Sequence, residues 1–193
     1  MVKDRKNVST RIRRCNFLHD VHFSRLFLNK RYAQASVAFQ NAGRNRETKI
    51  CAAYLSREKA RLIPTTTRAA RTQAFITTAN DFIKCARDSP AKRDNERLAY
   101  YGIAGECYSE ARDLKNAGDS YWMAKQYDTA ARTYREGGCF DELAEVIIQH
   151  RDALENGLLE RLAMVTQMHY FKVYLNGFFD LEYLIPFNPA FKC

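Results

Sequence analysis

Few side chains in this 193-residue chain have the type and spacing that chemistry needs. Cys15, His19 and His22 fall at offsets that one helix would turn toward a metal ion. No fourth ligand accompanies them and the spacing matches no common zinc module, so helix packing is the better reading. Asp141, Glu142 and Glu145 could be drawn as a general acid and base, but they alternate with Leu143, Ala144 and Val146. They read as the wet side of an amphipathic helix. Tyr100, Tyr101 and Trp122 could stack a base or a peptide ring; the tyrosines read as core, and Trp122 as an exposed ring beside Tyr121. His150 and His169 stand alone, with His150 at a helix end where the dipole favours it. No phosphate-loop, Gly-x-Ser-x-Gly or His-Glu-x-x-His pattern occurs. Neither catalysis nor a cofactor nor a bound metal is expected.

Charge points to binding instead. Residues 1–72 hold 17 Lys and Arg against 4 Asp and Glu, while residues 73–193 hold 14 against 18, so the formal net charge of +9 resides in the first third. Lys3, Arg5, Lys6, Arg11, Arg13 and Arg14 form its densest part. Such a basic end suits nucleic acid or an acidic protein. The segment lacks the interleaved aromatics that make a stacking platform for single strands.

The elements that must position these groups are announced by an internal repeat. Tyr101, Leu114, Tyr127 and Phe140 recur every thirteen residues, as do Ala104, Ala117, Ala130 and Leu143, then Tyr108, Tyr121, Tyr134 and Ile147. Offsets of three, seven and ten return to one side of a 3.6-residue helix, so each unit predicts one short amphipathic helix and a tight turn. A helix of that length is marginal alone in water and must be stabilised by its neighbours.

The remainder reads as helix too. With only 8 Gly and 4 Pro, the composition favours helices over strands and turns. The pattern predicts a basic, unstructured start over residues 1–11, a helix from near Ile12, a second over Tyr32 to Ala42 closed by Gly43, and a third from Asn45 to Leu62. The outer face of that third helix carries Arg46, Lys49, Arg57 and Lys59. A fourth helix, Arg68 to Arg87, is apolar at Phe75, Ala79, Phe82 and Ala86, and Ser89 with Pro90 reads as a cap and first turn for the next. Asn156 and Gly157 introduce a last long helix with Leu158, Leu162, Val165, His169 and Lys172 on one stripe. The helical array spans 12–175. Residues 176–193 form an aromatic-rich tail in which the repeat register stops, either folded back over the last helix or marking a cut from something longer. No apolar run reaches the length of a membrane span and no secretory signal is visible, so an intracellular, cytoplasmic or nuclear protein that does not engage membrane is expected. Six cysteines without a Cys-x-x-Cys pattern read as reduced structural thiols.

Against the tetratricopeptide-repeat signature, Leu114, Ala117, Gly118 and Tyr121 match the first helix, and Ala130, Tyr134 and Gly137 the second. Glu142 stands where the helix-ending proline is usual. A poorer copy uses Leu26, Ala35, Phe39 and Ala42. The runs Phe27-Leu-Asn-Lys-Arg-Tyr-Ala-Gln-Ala35, Phe39-Gln-Asn-Ala-Gly43, Ala53-Tyr-Leu-Ser-Arg-Glu-Lys-Ala-Arg61, Gly105-Glu-Cys-Tyr108, Tyr134-Arg-Glu-Gly-Gly-Cys-Phe-Asp-Glu142 and His169-Tyr-Phe-Lys172 carry a wider resemblance. Together they resemble the helical-repeat region of large fungal tetratricopeptide- and ankyrin-repeat proteins that carry a UvrD-like superfamily 1 helicase domain. The resemblance covers roughly Phe23 to Leu175, and it implies an accessory helical module beside an ATP-driven motor whose own motifs are not in this chain.

The expected fold is therefore an all-α, right-handed, tetratricopeptide-like α-solenoid of antiparallel helix pairs, about eight or nine helices in all. The expected function is a non-catalytic scaffold that holds an acidic protein or peptide partner in a concave groove. The alternative is a helicase-associated module contacting nucleic acid through its basic first third.

Overall fold

The computed structural model describes residues 25–175. The basic start over 1–11 with Lys3, Arg5, Lys6 and Arg11, the neighbouring Arg13 and Arg14, the Cys15, His19 and His22 group and the tail 176–193 lie outside the described residues.

Every regular element described is helical. Residues 25–28 are helical, and eight α-helices follow among the described residues. They are α1 (Tyr32–Asn41), α2 (Asn45–Leu62), α3 (Arg68–Arg87), α4 (Asp94–Glu110), α5 (Leu114–Met123), α6 (Tyr127–Gly137), α7 (Phe140–Gln149) and α8 (Asn156–Leu175). Short 3₁₀ turns at Ala91–Arg93 and Arg151–Ala153 precede α4 and α8. None of the described helices is long and apolar enough to cross a membrane. The chain divides into two compact units, Met1–Arg112 and Asp113–Cys193. Within each, neighbours in sequence are neighbours in space: α1 on α2, α2 on α3 and α3 on α4 in the first, α5 on α6, α6 on α7 and α7 on α8 in the second.

The thirteen-residue register is visible as geometry from Leu114 onward, whereas its first member, Tyr101, lies inside the 17-residue α4 and does not open a short helix of its own. Helices α5, α6 and α7 begin at Leu114, Tyr127 and Phe140, the first column of the sequence repeat. The turns that separate them contain left-handed residues at the same spacing, Arg112 (φ 62), Lys125 (φ 59) and Gly138 (φ 69). Lys30 (φ 59) and Gly43 (φ 68) repeat the device in the first unit. The turns at Lys30, Gly43, Lys125 and Gly138 each close a helix with a pair of crossed backbone bonds. Gln126 N–H donates to Tyr121 C=O and Lys125 N–H to Trp122 C=O; Arg44 N–H donates to Phe39 C=O and Gly43 N–H to Gln40 C=O. This is the Schellman closure, which satisfies carbonyls that a helix end leaves without a partner. The next helix then starts at once. At α5 the Asp113 carboxylate takes the N-cap and accepts from Asn116 N–H.

In the first unit the core runs through a chain of rings. Phe27 meets Tyr32 and Tyr54 edge-on at 5.3 and 5.1 Å, Tyr54 stacks on Tyr32 at 5.2 Å and meets Phe82 at 5.0 Å, and Phe82 reaches Tyr100 at 6.3 Å. Each helix from the first described turn to α4 contributes one ring, at separations that favour edge-on and offset contacts. Ala35, Cys51, Ala79, Ala86 and Ala104 are buried on the same helices. Their small side chains let the helix axes approach.

Two local expectations need correction. Ala42, expected to pack, is exposed: α1 ends at Asn41 and Ala42 is its C-cap, turned out of the α1–α2 contact. Ser89 and Pro90 do not cap α4. A 3₁₀ turn intervenes, Pro90 precedes it without a side-chain cap bond, and the Ser89 hydroxyl points back to donate to Cys85 C=O at 2.8 Å.

Candidate functional site

The residues expected to form the repeat come together most clearly on α5 and α6. Ala117, Gly118, Tyr121, Ala130 and Tyr134 are all buried. Gly118 lies flat against the Tyr134 ring, so that a Cβ at 118 would stand 2.6 Å from Cδ1 and 2.8 Å from Cζ. The ring cannot move aside: it is fully buried, and its hydroxyl donates to Asp119 Oδ1 at 2.6 Å. Gly137 makes the reciprocal approach, where a Cβ would lie 2.8 Å from the half-buried Leu114 Cβ. Ala35 and Phe39 are likewise buried, in a cluster with Cys51 against Leu26, Phe27 and Ala38.

The same tyrosine device recurs. Tyr170 on α8 donates to Asp141 on α7 at 2.6 Å, and Tyr108 on α4 donates to Asn80 on α3 at 2.9 Å. A ring that fills the space between two helices thus has its polar end satisfied by the helix it packs on. Burial first, and the acceptor carboxylate second, push the Tyr134 and Tyr170 phenols well above their ordinary range.

The acidic trio on α7 has structural work. Asp141 receives Tyr170, Glu142 pairs with Lys115 on α5, and Glu145 accepts from Gln149 at 2.8 Å. The Lys115 hydrogen bond holds the Glu142 carboxyl below the usual range. None is placed as an acid and base pair. Among the described residues no group of three His, Cys, Asp or Glu side chains could hold a metal ion.

The histidines are not isolated. His150 stacks on Tyr127 with ring centroids 3.7 Å apart, and its Nε2 accepts the Trp122 indole N–H at 3.1 Å. Trp122 is therefore half-buried and engaged rather than an exposed stacking ring. His169 stacks on Phe140 at 4.0 Å and meets Tyr170 edge-on at 5.5 Å. Tyr127 and Phe140, first-column residues of the repeat, are each covered by a histidine from farther along. On α8 the buried stripe is Leu158, Leu162, Thr166 and Tyr170, with Val165 and His169 at its flank. Met164, Met168 and Phe171 lie exposed on the opposite side.

The basic outer face of α2 is largely neutralised from within. Arg46 pairs with Glu96 at 2.8 Å, Lys49 with Asp88 at 2.8 Å and Arg57 with Glu106, while Arg71 on α3 pairs with Glu110 at 3.2 Å. Of the four cations expected on that face, Lys59 alone has no acidic partner among the described residues. Such pairs are worth little as stability. Their consequence is that α4's carboxylates cancel charge the sequence placed on a solvated surface. Residues 25–112 still hold 17 Lys and Arg against 8 Asp and Glu. Exposed Lys30, Arg31, Arg68, Arg87 and Lys92 account for much of that excess.

The most interconnected polar group centres on Arg46. Its Nη2 reaches Glu96 Oε2 at 2.8 Å and Ser89 Oγ at 3.3 Å, while its buried Nε has no hydrogen-bond partner among the described residues. Tyr100 O–H donates to Glu96 at 2.8 Å and Arg93 approaches the same carboxylate at 3.4 Å. Burial alone would raise the Glu96 pKa, but the Tyr100 and Arg46 hydrogen bonds outweigh it and keep the carboxyl below the ordinary range. Sequence reasoning missed this group because its members come from two helices, α2 and α4, and from the turn that precedes α4.

No protein-family model matches the chain, and no curated protein or solved structure shows significant similarity to it.

Proposed function

We propose that the chain is a tetratricopeptide-like helical-repeat scaffold that acts by holding a polypeptide partner rather than by catalysis. The observation that supports it best is the α5–α6 unit. Its small residues at 117, 118, 130 and 137 and its rings at 121 and 134 occupy the places that let two antiparallel helices pack closely. Joined by a two- or three-residue turn, such helices run antiparallel, and their stacking in an α-solenoid presents one helix of each pair on a concave side. The carboxylates Glu96, Glu106 and Glu110 of α4 and Asp141, Glu142 and Glu145 of α7 are engaged in structural bonds, which favours recognition over reaction at this surface. An acidic partner suits the exposed cations that have no acidic partner among the described residues, with electrostatic steering acting more on association rate than on affinity.

A second reading, a UvrD-like helicase accessory module contacting nucleic acid, is favoured by the excess of Lys and Arg in residues 25–112. Fluorescence anisotropy of a labelled oligonucleotide with the full chain separates the two. Binding that weakens steeply with salt and disappears on charge reversal at Lys30, Arg31 and Arg68 would establish phosphate contact. The scaffold reading expects no binding at moderate salt.

A further inference from the structure

We propose that Ser89 is a phosphorylation site for a proline-directed serine/threonine kinase, and that Arg46 receives the phosphate. Ser89-Pro90 is the one Ser-Pro or Thr-Pro step in the whole sequence, and Lys92 supplies a cation three residues after the serine. An enzyme whose pocket accepts the imide nitrogen of proline therefore has a single target here.

The local backbone allows access. Residues 88–90 link α3 to the 3₁₀ turn Ala91–Arg93, Pro90 is exposed and extended (φ −61, ψ 147), and Lys92 is exposed. Ser89 itself is half-buried. Its release breaks the Ser89 N–H bond to Ala86 C=O, the hydroxyl bond to Cys85 C=O and the bond from Arg46 Nη2, a local opening at the end of α3. In the transfer, the serine oxygen attacks the γ-phosphorus of ATP, a new Oγ–P bond replaces the bond to the bridging oxygen, and ADP leaves. The hydroxyl proton passes to the kinase's catalytic carboxylate.

What makes the site more than a motif is the receiver already in place. Arg46 Nη2 stands 3.3 Å from Ser89 Oγ, and Arg46 Nε is a buried donor without an acceptor among the described residues. A guanidinium edge with a vacant donor beside an occupied one suits a phosphate, which accepts two parallel N–H bonds. Glu96 can share Arg46 because Tyr100 and Arg93 also hold it. Asp88, the carboxylate of the preceding residue, is engaged by Lys49 at 2.8 Å. Two effects oppose the arrangement: the bond to Cys85 C=O is lost, and the phosphate lies near the negative C-terminal end of α3. Their balance against Arg46 is readable in the phosphate's own titration.

The test is treatment of the full chain with a purified proline-directed kinase, ATP and Mg²⁺, followed by intact mass, site mapping and ³¹P titration. The expected result is one phosphoryl group per chain, at Ser89, lost in both Ser89→Ala and Pro90→Ala. The phosphoserine second pKa should fall below its ordinary value of about 6. It should return toward that value in Arg46→Lys, which keeps the charge but removes the fork, and fully in Arg46→Gln, with circular dichroism confirming that both variants stay helical. Failure of the folded chain to accept phosphate at Ser89 overturns the site. A second pKa at or above about 6 in the unmodified background, or one indifferent to Arg46, overturns the receiver.

Discussion

Gly118 on α5 and Tyr134 on α6 are in such close contact that no side chain fits at 118: a Cβ there would sit 2.8 Å from the ring's Cζ. Replacing a mid-helix glycine by alanine ordinarily stabilises a helix by about 0.5–1 kcal/mol. Here the Tyr134 hydroxyl is held by Asp119 and its ring is fully buried, so the clash has nowhere to relax. Gly118→Ala is expected to destabilise the protein by about 1–3 kcal/mol in urea unfolding. An increase in stability would show that the α5–α6 contact is not as close as described.

The opposite sign is expected at Lys30. Its φ of 59 places a side chain where the left-handed conformation costs about 1 kcal/mol, while Gly43 holds the equivalent turn without that penalty. Lys30→Gly should raise the melting temperature, and Gly43→Ala should lower it. Equal shifts for the two would remove the common turn geometry from the account.

Much of this architecture was legible beforehand, for a physical reason. Helix starts at Leu114, Tyr127 and Phe140 follow from a local period, and the Gly118 and Tyr134 contact follows from a pattern sixteen residues apart on two successive helices. What escaped was non-local. Trp122 and His150 meet across 28 residues, and Arg57 and Glu106 across 49, with nothing in their neighbourhoods to pair them. Arg46 and Lys49 looked solvated because helical periodicity places them off the apolar face, yet α4 and the end of α3 present acids there. Ala42 was misread because its column in the repeat falls just past the end of a helix that stops at Asn41.

The fold should weaken in alkali. Burial pushes the Cys51, Cys85 and Cys107 thiols from 9.0 up to about 11. Between those values the folded chain retains a proton that the unfolded chain has lost. Stability linked to these thiols is therefore full below pH 9 and falls as pH rises toward about 11, by up to about 3 kcal/mol per thiol. Tyr100, raised by burial first and by Glu96 second, extends the trend upward. Urea midpoints measured from pH 8 to 11 should fall steadily; a flat profile would contradict the burial of these thiols.

The two sides of α8 should respond differently. Leu162 is fully buried and Phe171 is 56% exposed. Leu162→Ala should cost about 2–5 kcal/mol, whereas Phe171→Glu and Met168→Glu should stay within about 0.5 kcal/mol of the parent. A large loss from either exposed position would mean that another part of the chain covers that side of the helix.

The central claim, that this is a scaffold for a polypeptide, is tested most directly by photo-cross-linking the full chain in the cells that express it, then titrating each recovered species against purified chain. The account predicts a polypeptide that binds saturably, is not displaced by an oligonucleotide, and binds more weakly to Gly118→Ala. Recovery of nucleic acid alone, or of no species that rebinds, would contradict it.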